Sequence, residues 1–117
     1  MFEYNATMTR VIDGDTIEVV IDLGFHVAIR ETVRLAGINC PERNTDAGKA
    51  ATKAVEEWFA NEGSRCVIRT RKAEGEQEKF GRYLAAVVSR HGADLVADLI
   101  AAGHAVRWTG RGTRPTA

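Results

Sequence analysis

Three short stretches of the chain gather side chains of the kinds that handle a phosphodiester: Asp13-Gly14-Asp15-Thr16, Arg34 to Glu42, and Glu78-Lys79-Phe80-Gly81-Arg82. Asp15, Asn39 and Glu42 offer carboxylate and amide oxygens with no histidine or thiol set beside them, which favours calcium or magnesium over zinc. No EF-hand loop is present, so a metal has to be assembled from separate strands. Cleaving a phosphodiester builds negative charge around phosphorus, and Arg34 and Arg82 carry planar forks of donors that match phosphate oxygens. Glu42 is a carboxylate able to accept a proton from an attacking water. Singly, each piece is weak, because Asp-Gly-Asp is usually a turn and an arginine at a strand end usually a solvated flank. Lys79 reads equally well as a phosphate contact and as a solvated turn lysine. His26, His91 and His104 lie apart without ligand spacing and read as surface or turn residues.

Elements that position these stretches can be read from apolar periodicity. Phe2 to Val11 lacks helical spacing and Thr16 to Asp22 alternates Ile17, Val19 and Ile21 with polar residues, so both read as strands. Asp13-Gly14 between them signals a turn in which glycine accepts a positive φ. After a second turn at Leu23-Gly24-Phe25, Val27, Ile29, Val33 and Leu35 mark a third strand at period two. Ala47, Ala50, Ala51, Ala54, Val55, Trp58 and Phe59 fall at helical spacing, with Thr45 or Asp46 to cap the start and Gly63 to end an amphipathic helix of about four turns. Cys66 to Arg71 and Tyr83 to Ser89 read as two more strands. His91-Gly92 then turns the chain into a short helix capped by Asp94, carrying Leu95, Val96, Leu99 and Ile100, and stopped by Gly103.

Three strands, a helix, two strands and a helix is the order of a mainly β, five-stranded OB-fold Greek-key barrel, with one helix between strands three and four and a short one after strand five. At 117 residues the chain suits one domain. Its extent is read as 1–108, followed by a flexible basic tail over 109–117 that contains Arg111 and Arg114. An apolar fraction of 44% with 27% charged residues is ordinary for a folded soluble protein. No apolar run approaches a membrane span, and no secretion signal follows Met1, which favours an intracellular product without excluding a mature secreted form. Cys40 and Cys66 are too few and too distant for a disulfide framework or a zinc set, and Cys66 reads as a small hydrophobe in a strand. Net charge is zero, but residues 1–62 hold six basic and eleven acidic side chains whereas residues 63–117 hold ten basic and five acidic. One half suits a cation and the other phosphates, unless the charges merely solvate two faces.

Taken together in this order, the three stretches resemble the staphylococcal nuclease, or thermonuclease, family. Its members carry Ile-Asp-Gly-Asp-Thr, Arg-Leu-x-x-Ile-(Asp/Asn)-x-Pro-Glu and (Glu/Asp)-Lys-(Tyr/Phe)-Gly-Arg at similar spacing, and the resemblance runs from about Thr9 to Val106. It implies an OB barrel that uses calcium to hydrolyse DNA and RNA at the bond to the 5′ oxygen, leaving 3′-phosphates. Carried over, it makes Asp15 a metal ligand, Asn39 a second through its side chain and the backbone carbonyl of Cys40 a third. Glu42 matches the carboxylate that orients or deprotonates water, Arg34 and Arg82 the phosphate clamps, and Asp13 and Thr16 supporting positions near the metal. The best-known member has aspartate where Asn39 stands, threonine at Cys40, and tyrosine at Phe80, which reads equally as a substrate contact and as packing at the barrel edge.

The expectation is therefore a calcium-dependent endonuclease, other divalent cations being possible, with DNA or RNA as partner, no membrane, and a monomeric state. A non-catalytic nucleic-acid-binding barrel of the same family is the alternative. Retention of Glu42 and both arginines separates the two, because a pure binder has no use for a carboxylate that repels phosphate. A third reading, an interaction domain of a larger assembly, rests only on the neutral net charge.

Overall fold

The structure, a computed structural model, describes residues 2–70, 76–77 and 83–108. Lys79, Phe80 and Arg82, the end of the Cys66–Arg71 strand, and the tail over 109–117 lie outside the described residues. Among those described, five long strands form a closed barrel: β1 (Phe2–Asp13), β2 (Thr16–Gly24), β3 (Val27–Leu35), β5 (Arg65–Thr70) and β7 (Tyr83–Ser89). Three two-residue strands accompany them, β4 (Ile38–Asn39), β6 (Glu76–Gln77) and β8 (Val106–Arg107). Helix α1 (Asp46–Glu62) sits between β4 and β5, and α2 (Leu95–Ala101) follows β7. The expected mainly β OB-type barrel with two helices is what forms.

β1 is long enough to serve two neighbours. Its first half pairs with β5, from Phe2 opposite Thr70 to Thr7 opposite Arg65, and its second half with β2, from Ala6 opposite Ile21 to Asp13 opposite Thr16. Irregularities between Met8 and Arg10 and between Val11 and Asp13 interrupt the register of the half that pairs with β2, beyond the last β5 pair at Thr7. β2 and β3 form an antiparallel hairpin, β5 pairs with β7, and the parallel pairing of Val33–Leu35 with Tyr83–Ala85 closes the ring.

The interior follows from the alternation seen in the sequence. Ile17, Val19 and Ile21 of β2 are buried, as are Val33 and Leu35 of β3, Ile68 of β5 and Ala85 and Val87 of β7. Fully burying one such aliphatic side chain is worth about 1.5–3 kcal/mol, so this alternation is enough to choose the register of each strand. Helix α1 buries Gly48, Ala51, Val55 and Phe59, one stripe at helical spacing, and packs against β1. Thr45 rather than Asp46 is its N-cap: the Thr45 hydroxyl accepts from the Gly48 amide at 3.0 Å. Gly63, at φ 93°, ends the helix by donating its amide to the Phe59 carbonyl at 2.7 Å. The Trp58 indole donates to Asp98 at 2.8 Å and so ties α1 to α2, whose N-cap is Asp94 as expected. None of the described helices is long and apolar enough to cross a membrane.

Gly14 differs from the sequence expectation. It does not adopt a positive φ. Its reason is steric: a Cβ there would lie 2.8 Å from the Ala51 Cβ and 3.0 Å from the Cys40 sulfur.

Candidate active site

The β1–β2 turn brings Asp13 and Asp15 against the segment that leaves β3. Asp13 Oδ1 accepts from the Asp15 amide at 3.1 Å, an Asx turn that fixes the local backbone. The Asp15 carbonyl then accepts from Leu35 at 2.8 Å, tying this turn to the end of β3. The close approach at Gly14 lets Cys40 and α1 come up beside the same turn.

The Asp15 carboxylate is the hub. Oδ1 accepts from the Thr16 hydroxyl at 3.1 Å, Oδ2 accepts from the Cys40 amide at 3.3 Å, and the Arg34 guanidinium lies 3.5 Å from Oδ2. Burial pushes the Asp15 carboxyl above the ordinary carboxylate range, and the hydrogen bond and charge of Asp13 push the same way. Arg34 and Thr16 pull it back. Two neighbouring carboxylates, one of them largely desolvated, are an arrangement that a cation stabilises.

Arg34 is itself buried, at 8% exposure. Its guanidinium donates to the Ile38 carbonyl at 3.0 Å and to the Leu35 carbonyl at 3.3 Å, so it also staples the turn between β3 and β4. Trp108 packs on the other side, with its ring centroid 5.8 Å from the Arg34 Cζ. That ring is held by the pairing of β8 with β4, Asn39 opposite Val106, and by the Trp108 amide donating to the Gly37 carbonyl at 2.8 Å. Asn39 is buried on β4 at 5% exposure.

Glu42 is exposed at the rim. Its backbone carbonyl accepts from the Thr45 hydroxyl at 2.7 Å and the Thr45 amide at 3.1 Å, so the helix cap also holds the Glu42 loop. Gly48 is required under that loop, because a Cβ there would overlap the Glu42 carbonyl.

Asp13, Asp15, Arg34, Asn39, Cys40 and Glu42 thus line one cleft of about 170 Å³, together with Pro41 and Arg43. Thr16 stands just behind Asp15. The structure brings these predicted residues together, while Lys79, Phe80 and Arg82 lie outside the described residues. Arg43 and Trp108 are additions that the motifs do not announce: Arg43 directly follows the motif ending at Glu42, and no periodicity links Trp108 to Arg34. Among the described residues no three His, Cys, Asp or Glu side chains are grouped so as to hold a metal by themselves. The donors that line the cleft are carboxylate and amide oxygens, which suit a hard cation. Cys40 adds a thiol that burial, then Asp15 and Asp13, push up to about 12, so it stays protonated near neutral pH and offers no thiolate to a soft metal.

The family model described as staphylococcal nuclease homologue matches residues 32–116, more than half of the chain. The chain belongs to this family. The matched stretch holds Arg34, Asn39, Cys40 and Glu42, whereas Asp13, Asp15 and Thr16 precede it and join the site through the barrel. No curated protein matches the chain. Membership in the staphylococcal nuclease family supports a nuclease-like or nucleic-acid-binding role.

Proposed function

We propose that the chain is a calcium-dependent nuclease that hydrolyses DNA and RNA, leaving 3′-phosphates. The observation that carries this reading is the Asp15 cleft, where a desolvated carboxylate, a buried arginine and a rim glutamate meet on strand ends of a barrel of this family.

The oxygen donors fit a hard divalent cation: the side chains of Asp15 and Asn39 and the backbone carbonyl of Cys40 would hold it, with Asp13 and Thr16 supporting Asp15. When bound, calcium supplies positive charge that stabilises a phosphate gaining negative charge. Glu42, at the rim, has access to solvent and takes a proton from the attacking water. The water oxygen bonds to phosphorus, the bond from phosphorus to the 5′ oxygen breaks, and the released alkoxide takes a proton from solvent. Glu42 returns its proton to solvent and is restored. Arg34 and Arg82 supply charge-assisted donors to the phosphate, which gain strength as its oxygens gain charge. Arg34 is fixed in advance by Leu35, Ile38, Asp15 and Trp108, so little reorganisation is needed when phosphate arrives. Lys79 and Phe80 contact the substrate.

The chemistry of the product ends tests this reading. Cleaved DNA should carry 3′-phosphates that block polymerase extension until phosphatase removes them. Ends that extend without phosphatase would contradict the proposed bond cleavage.

A further inference from the structure

A second and larger groove, about 610 Å³, lies toward the opposite end of β2 and takes no part in the proposed chemistry. Its polar lining comprises Asn5, Thr7, Asp22, His26, Arg65 and Arg90. Thr7 pairs with Val20 on one side and with Arg65 on the other, and Cys66 pairs with Ser89. Arg65 opens β5 and Arg90 directly follows the end of β7, so the β5–β7 register brings both to the same end of this strand pair. Two other arginines on the barrel do have acid partners: Arg69 has Glu3 at 2.8 Å and Arg30 has Glu18 at 3.4 Å. Among the described residues no ion pair joins Arg65 or Arg90 to an acid. Asp22, the one carboxylate on the lining, accepts the Gly24 amide at 2.8 Å.

The tip of the β2–β3 hairpin stands beside this groove. Phe25 and His26 form the turn with φ of 53° and 63°, a left-handed conformation that glycine or asparagine adopts more cheaply. Phe25 is 99% exposed, so its ring buries nothing within the chain. Two arginines on one groove with no acid partner among the described residues, near a fully presented aromatic ring, match a chain of phosphates carrying unpaired bases.

We infer that this groove is a second binding site for single-stranded nucleic acid, with Arg65 and Arg90 on the phosphates and Phe25 stacking on a base. The inference rests on the nuclease reading above. Along β2, Val20 and Asp22 on the groove lie five and seven residues from Asp15 at the cleft, about 17 and 23 Å at about 3.3 Å each. A long strand reaches both sites, whereas a trinucleotide held at the cleft does not reach the groove.

The test compares the full chain with Arg65→Gln/Arg90→Gln and with Phe25→Gly. Anisotropy with a labelled oligothymidine of about 16 nucleotides, the upper end of what one OB barrel covers, is read in chelator across a salt series. Trinucleotide cleavage is read separately in calcium. The double variant should lose about tenfold or more in oligothymidine affinity, and its salt slope should become shallower by about 1.4, the value for two phosphate contacts to a single strand. Phe25→Gly should bind about tenfold more weakly while melting no lower than the parent, because glycine relaxes the turn. Trinucleotide cleavage should be unchanged in both. Oligothymidine affinity and salt slope equal to the parent's in the double variant would overturn the groove site. A parent chain that binds no oligothymidine would overturn the nucleic-acid reading beneath it.

Discussion

The Trp108 ring lies 5.8 Å from the Arg34 Cζ, which places a residue from the last described segment against the buried guanidinium that faces Asp15. The contact joins the β4–β8 pairing to the candidate site, so the segment that carries β8 is part of what holds Arg34. A partly desolvated cation–π pair is worth about 0.5–2 kcal/mol. Trp108→Ala should therefore lower stability by about that amount or more in urea unfolding, and Trp108→Phe should recover most of it. Equal losses in both variants would mean that the ring's charge interaction with Arg34 contributes nothing.

Gly48 links the helix to the rim glutamate. Gly48→Ala drives a methyl group into the Glu42 carbonyl, and overpacking of this kind costs about 1–3 kcal/mol. The Glu42 loop must shift, so both the thermal midpoint and phosphodiester cleavage should fall. A variant that melts and cleaves like the parent would show that the loop adapts at no cost.

Chemical roles separate by substitution. Glu42→Gln should keep the fold and lower turnover by about 10² to 10⁴, the usual contribution of a positioned general base. Arg82→Ala should fall by a similar factor through loss of a charge-assisted donor. Arg34→Lys should lose activity and also stability, because an ammonium cannot span the Leu35 and Ile38 carbonyls as the planar fork does. Steady-state kinetics with urea unfolding on the same preparations distinguishes the two effects, and unchanged kinetics in all three would place the chemistry elsewhere.

Asn39 stands buried where the family's best-known member has aspartate. An amide oxygen can ligate calcium, but it brings no charge. Unit charges 4 Å apart interact by about 4 kcal/mol at an effective dielectric near 20, an amount that desolvation reduces. Asn39→Asp should tighten calcium binding in the free protein and, by adding a carboxylate near Asp13 and Asp15, lower stability without metal. Calorimetric titration at matched ionic strength checks the first effect and melting in chelator the second. Equal or weaker calcium affinity would remove Asn39 from the metal site.

Cys66 provides a pH test independent of the site. Burial pushes its thiol up to about 11 from the usual 9. The folded state thus binds this proton more tightly than the unfolded state. The associated stability is fully present below pH 9 and disappears as pH rises toward 11. Urea unfolding should show a steeper alkaline loss for the parent than for Cys66→Ala; parallel curves would show that this thiol is not linked to folding.

Much of this architecture is legible in the sequence because burial imposes periodicity. Ile17, Val19 and Ile21 alternate and define β2, while Ala51, Val55 and Phe59 recur at helical spacing and define the inner face of α1. The cleft is legible as well, because Asp15, Arg34, Asn39 and Glu42 sit at element ends that a barrel brings together. What escapes is what depends on partners distant in the chain. β4 and β8 exist through pairing with each other, and two residues are too short to show a period. Gly14 looks like a turn glycine, yet its need is space beside Cys40 and Ala51, which only tertiary packing reveals. The stack of Trp108 on Arg34 has the same origin. Lys79, Phe80 and Arg82, legible as a motif, lie outside the described residues.

The central claim is that the Asp15 cleft cuts phosphodiester bonds with the help of a bound divalent cation. The most direct measurement incubates purified protein with single- and double-stranded DNA in calcium and in chelator, alongside Asp15→Asn prepared identically. The account predicts products from the parent in calcium, none in chelator, and none from Asp15→Asn in either. Equal cleavage by parent and Asp15→Asn, or no cleavage by the parent with any divalent ion, would contradict it.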